Sequence, residues 1–106
     1  MWVIEIRRWL DKTQSGPVDL KLKSAVSTFC EIITYATSMV DGVPTMATPK
    51  CWRRPHQIPC GGLLDIALNE STGQIYWQCQ KCQDQGIITG WHGLIWDMSD
   101  EVGPVQ

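Results

Sequence analysis

Apolar and polar positions alternate from the start of the chain. Trp2, Ile4 and Ile6 fall on one side, Val3, Glu5 and Arg7 on the other, and this period of two predicts a β-strand. Arg7-Arg8-Trp9-Leu10-Asp11 breaks the alternation, and its basic step reads as a solvated edge that discourages association between strands. Lys12 to Gly16 is polar, Ser15-Gly16-Pro17 signals a turn, and Asp19 is placed to cap a helix. From Leu22 the period changes. Val26, Phe29, Ile33, Ala36 and Val40 follow in steps of four and three, which predicts an amphipathic helix of about five turns. Gly42 is expected as its left-handed C-terminal cap. Ala25, Cys30 and Ile32 widen the apolar stripe beyond what a small sheet needs to cover. Many residues of the stretch are β-branched (Val26, Thr28, Ile32, Ile33, Thr34, Thr37), so packing rather than propensity must hold the helix.

The second half returns to the shorter period. Gly42 to Lys50, with Pro44 and Pro49, reads as a linker or short edge strand separating the two halves. Leu64, Ile66 and Leu68 alternate with Asp65, Ala67 and Asn69, and Glu70-Ser71-Thr72-Gly73 is a hairpin turn with Gly73 at a left-handed position. Ile75 and Trp77 then face one way, Tyr76 and Gln78 the other. Ile87-Ile88-Thr89 forms a third strand, and Gly90 to Trp96 closes the fold. From Asp97 the tail is acidic and expected to fray. The pattern predicts an α+β protein in three parts. Residues 1–50 hold an N-terminal strand and one amphipathic helix, 51–96 a small antiparallel three-stranded sheet, and 97–106 an acidic flexible tail.

Cysteines bracket the predicted hairpin: Cys51 and Cys60 precede it, Cys79 and Cys82 follow it. Two sulfurs from each side can meet at one point, and four thiolates on a tetrahedron suit Zn²⁺, a d¹⁰ ion with affinity for soft ligands. Cys79-Gln80-Lys81-Cys82 has the tight-turn spacing of such a site, and the 18 residues between Cys60 and Cys79 fit the gap between its halves. The first pair is stretched, with eight residues between its members, and His56 lies among them. Two ligand sets are therefore open: all four cysteines, or His56 with Cys60, Cys79 and Cys82. Gly61-Gly62 lets the chain turn tightly beneath the metal. The fifth cysteine, Cys30, sits on the helix and reads as a small core residue.

Cysteine turn, hairpin, cysteine turn and third strand together make residues 51–89 resemble a zinc ribbon. Zinc-ribbon turns commonly carry Gly directly after the second cysteine, where this chain has Gln83, so a looser turn is expected. More loosely, the order of Cys51, Arg53-Arg54-Pro55, Pro59-Cys60, Trp77, Cys79, Cys82, Gly86, Trp91 and Trp96-Asp97 is similar to small bacterial proteins of uncharacterised activity. That resemblance implies a metal-stapled fold and no particular activity.

The 106-residue chain carries a formal charge of −2. Residues 1–50 hold +1 and residues 51–106 hold −3, before a tetrathiolate zinc site adds further negative charge. No global field drives the chain onto nucleic acid or membrane. Its longest uncharged run, Gln85 to Trp96, has 12 residues and cannot span a bilayer. With no secretory signal, the expected compartment is the reducing cytoplasm, where thiols bind metal more readily than each other.

These features predict a non-catalytic binding or assembly module for protein or nucleic acid, with a homodimer among the partners and six tryptophans to supply an apolar patch. A binding face is expected from Lys50, Trp52, Arg53, Arg54, Tyr76 and Trp91, arginines with stackable aromatics as single-stranded nucleic acid requires. Lys50, Arg53, Arg54 and Lys81 alternatively offset the charge of the metal site. A thiol–disulfide oxidoreductase using Cys79 and Cys82 is the competing reading, against which stands the lack of a helix after Cys82. A zinc hydrolase would enlist Asp65, Asp84 or His92, and four sulfurs would leave its metal no open position.

Overall fold

The computed structural model describes residues 1–12, 16–17, 19, 23–54 and 57–98. Strand β1 (Trp2–Glu5) runs into a short 3-10 turn at Ile6–Trp9, which is where the alternation fails. Helix α1 spans Lys23–Thr37, and the strands β2 (Leu64–Asn69), β3 (Gln74–Cys79) and β4 (Gln85–Thr89) follow. The expected three-stranded antiparallel sheet is in fact four-stranded and mixed, in the order β1-β4-β3-β2. β2, β3 and β4 pair antiparallel as the pattern predicts. β1 joins them parallel to β4, with Trp2 opposite Gly86 and Glu5 opposite Thr89.

Gly86 makes that junction feasible. A Cβ at this position would lie 2.8 Å from Trp2 Cβ and 2.8 Å from Trp77 Cζ2. Only a residue without a side chain lets the two tryptophans approach from either side.

One face of the sheet carries Ile4, Leu64, Ile75, Trp77, Cys79 and Ile88, all buried, and α1 packs on it through Val26, Phe29, Ile32, Ile33 and Ala36. The wide stripe of α1 is also covered from a second direction. Thr34 Oγ1 donates to Trp96 O (3.2 Å) and Met98 N donates to Thr37 Oγ1 (2.9 Å), fastening the segment after β4 to the helix.

α1 ends at Thr37, one turn before Val40. Gly42 is not its cap. Val40 and Val43 exchange backbone hydrogen bonds (3.0 and 2.9 Å) across Asp41 (φ 53°) and Gly42 (φ 77°). Two successive left-handed residues define a type I′ turn, which Asp-Gly favours, so the local turn overrode the helical period. Thr45 Oγ1 instead donates to Ser38 O (3.1 Å) just beyond the helix end. At the β2–β3 turn, Gly73 is left-handed (φ 73°) and donates to Asn69 O (2.8 Å), as expected of it.

Candidate metal centre

Strand β3 delivers Cys79 to the edge of the core and the chain then doubles back. Lys81 N and Cys82 N both donate to Cys79 Sγ (3.4 Å each), and Gln83 N donates to Cys79 O (3.2 Å). Gln83 is left-handed (φ 65°), so the turn is as tight as one with glycine and the looser turn is corrected. The strain of about 1–2 kcal/mol is carried by a non-glycine residue.

The stretched first pair closes by a different route. Cys60 N donates to Arg53 O (2.8 Å), which brings Cys60 back beside Cys51. Arg53 N donates to Cys51 Sγ (3.4 Å), and Cys51 N donates to Gly62 O (2.8 Å), anchoring the pair to the start of β2. The eight intervening residues therefore do the work of a two-residue spacing.

Four sulfurs converge. Cys51 Sγ lies 3.8 Å from Cys82 Sγ and Cys60 Sγ lies 3.6 Å from Cys79 Sγ, while all four lie within 4.8 Å of one another. A disulfide needs sulfurs about 2.05 Å apart, so none of these pairs is one. Four sulfurs each about 2.3 Å from a central ion stand about 3.8 Å apart along the edges of their tetrahedron. The cluster has that size and can hold a metal ion. Cys51, Cys60 and Cys79 are buried and Cys82 is half-buried.

The two halves are pressed together by Gly62. A Cβ there would lie 2.6 Å from Lys81 Cβ and 2.8 Å from Cys79 Sγ. Lys81 Nζ reaches across to donate to Cys60 O (3.1 Å). Electrostatics differ among the thiols. Burial pushes Cys51 and Cys82 above the ordinary thiol range. Burial acts the same way on Cys79, yet donation from the Cys82 and Lys81 amides and the thiols of Cys60 and Cys82 outweighs it, lowering Cys79 to about 7. Cys79 is thus prepared to meet a cation as thiolate.

No family model, curated protein or solved structure matches the chain.

Beside the cluster, Asp84 links it to the N-terminus. Its carboxylate accepts from Trp2 Nε1 (3.1 and 3.0 Å to the two oxygens) and pairs with Arg53 Nε (3.6 Å), while its backbone carbonyl accepts from Cys79 N (2.7 Å). Arg53 also lies over the Trp2 ring, 5.5 Å from its centroid. Trp52 is the hub of an aromatic cluster, with ring centroids 4.9 Å from Phe29, 5.1 Å from Trp77 and 6.1 Å from Trp2.

The six residues expected to form a binding face are dispersed. Lys50 and Arg54 are exposed, and Arg54 donates to Gln57 O (3.2 Å). Arg53 is engaged by Asp84, and Trp52 is half-buried against the core. Tyr76 stands on the sheet face opposite α1, its hydroxyl donating to Gln74 Oε1 (2.7 Å). Trp91 is buried at the far end of the hairpin, where Nε1 donates to Gly73 O (2.7 Å). His56 lies outside the described residues. Asp65 accepts from Gln80 Nε2 (2.9 Å), and His92 is stacked on Trp91. Cys30 lies apart on α1, where burial and then the charge of Glu31 push its thiol up to about 12.

Sequence reasoning missed the contact role of Gly62 against the second cysteine turn, although Gly61-Gly62 marked the bend. It also missed the Trp2–Asp84 link, which joins positions 82 residues apart and leaves no local signal.

Proposed function

We propose that Cys51, Cys60, Cys79 and Cys82 bind one Zn²⁺ ion as a structural centre, and that the protein is a non-catalytic assembly module working in a reducing cytoplasm. The observation that carries this is the set of four sulfurs within 4.8 Å of one another, with Cys51–Cys82 at 3.8 Å and Cys60–Cys79 at 3.6 Å. Four protein ligands leave the ion no open position for water or substrate, which argues against hydrolysis. The chain after Cys82 runs through Gln83 into β4, so no helix N-terminus activates either thiol of the pair for disulfide exchange. Trp52, packed against the core, and Arg53, paired with Asp84, weigh against nucleic acid and favour protein as the partner.

Zinc would supply what this small sheet lacks. Structural zinc sites in finger peptides contribute roughly 10–16 kcal/mol of apparent binding free energy, against about 5–15 kcal/mol for the stability of a whole domain. The test is metal analysis of protein purified without added metal, followed by substitution with Co²⁺. One equivalent per chain and the intense visible bands of tetrahedral cobalt thiolate are expected. Sub-stoichiometric metal, or rapid reaction of all four thiols without chelator, sinks the proposal.

A further inference from the structure

Strand β2 ends the sheet, and among the described residues no strand pairs with it on its outer side. Part of that side is closed: Cys51 N donates to Gly62 O (2.8 Å) and Leu64 N donates to Pro49 O (3.2 Å). Hydrogen-bonding direction alternates along a strand, so Ile66 and Leu68, like Leu64, turn their N–H and C=O groups outward. The hairpin turn begins at Glu70. This leaves a stretch of edge over residues 65–69, centred on Ala67, that carries neither Lys nor Pro and has Asp65 as its one charge. Ile66 and Leu68 are half-buried against the core from its rim, and Ala67 is exposed.

We infer that β2 pairs antiparallel with β2 of a second copy about a two-fold axis at Ala67, joining two four-stranded sheets into one of eight. This rests on the assembly half of the function proposed above, not on its metal. The register is selected by the chain itself. Ile66 of each copy faces Leu68 of the other, forming four backbone hydrogen bonds from the outward groups and continuing the apolar face across the axis. On the opposite face Asp65 meets Asn69 and Ala67 meets Ala67, so no like charges stand opposed. The Pro49–Cys51 segment at one end and the hairpin turn at the other bound the edge, so a strand centred elsewhere collides or leaves groups unpaired.

In this register Ala67 forms a pair that is not hydrogen-bonded, with Cα atoms about 4.5 Å apart, inside the range a disulfide bridges. Two Asn69 residues would stand about 14 Å apart, four residues along the strand. The zinc-loaded full chain, and its Ala67→Cys and Asn69→Cys variants treated with glutathione disulfide, are followed by sedimentation, non-reducing electrophoresis and metal content. Expected are a particle of twice the 12.0 kDa chain mass and a covalent dimer for Ala67→Cys alone. Ala67→Lys and Ala67→Glu should each weaken self-association by up to about fivefold, and mixing the two should restore it. Equal cross-linking at both positions, or a zinc-loaded monomer with neither, overturns the pairing and leaves the metal centre standing. A dimer without zinc overturns the metal centre and leaves the pairing.

Discussion

Gly62→Ala tests the contact between the two cysteine turns. The added Cβ would lie 2.6 Å from Lys81 Cβ and 2.8 Å from Cys79 Sγ. Carbon atoms pack at about 3.5–4.0 Å, so the turns must separate by about 1 Å. A metal site tolerates ligand displacements of only about 0.2 Å, so the methyl group and the ion compete for the same geometry. Overpacking of this kind costs about 1–3 kcal/mol, which becomes a 5- to 150-fold loss of zinc affinity. Competition against a chromophoric chelator at fixed pH measures it. Gly61→Asn is the control: position 61 is left-handed (φ 62°), a Cβ there would meet no atom within 4 Å, and Asn accepts that conformation. Unchanged affinity in G62A, or an equal loss in G61N, refutes the argument.

Three further outcomes are expected. Trp52→Ala removes the hub joining Phe29, Trp77 and Trp2 and should cost about 3 kcal/mol, seen as a lower denaturation midpoint; an unchanged midpoint means that the cluster is not cohesive. Asp84→Ala takes the acceptor from Trp2 Nε1 at a cost of about 1–3 kcal/mol, with little from the half-exposed Arg53 pair. Hydrogen exchange should then rise at Val3–Glu5 before β2, and uniform acceleration would contradict a local link. Zinc affinity should fall as pH falls, because binding needs thiolates, and the fall should steepen below about pH 7, where the metal-free Cys79 is itself protonated and one more proton must leave. A titration with constant slope through pH 7 would count against the lowered Cys79.

Local patterns were legible and distant ones were not. The hairpin declared itself through Leu64-Ile66-Leu68 and Ile75-Trp77, and with it the meeting of four cysteines, because a two-stranded unit fixes where its ends lie. The pairing of β1 with β4 joins Trp2 to Gly86, and nothing in either segment names the other. At Val40 the helical period continued while Asp41-Gly42 imposed a tighter turn, and the turn prevailed. Trp52 and Trp91 read equally well as surface or core. Trp91 is buried and Trp52 half-buried against the core, unlike Lys50 and Arg54, and burial depends on neighbours remote in sequence.

The parallel seating of β1 on β4 also sets a timetable for synthesis. β1 leaves the ribosome ahead of β4 and cannot find this neighbour until residues 85–89 have followed, and Cys79 and Cys82 emerge only shortly before them. Trp2, Val3 and Ile4 must therefore wait, apolar and without β4, while the residues between the two strands are made. Contacts of such long range slow folding and expose edges in the interval. Closure of the sheet and completion of the four-sulfur cluster then fall together, as one event that follows the emergence of residues 79–89.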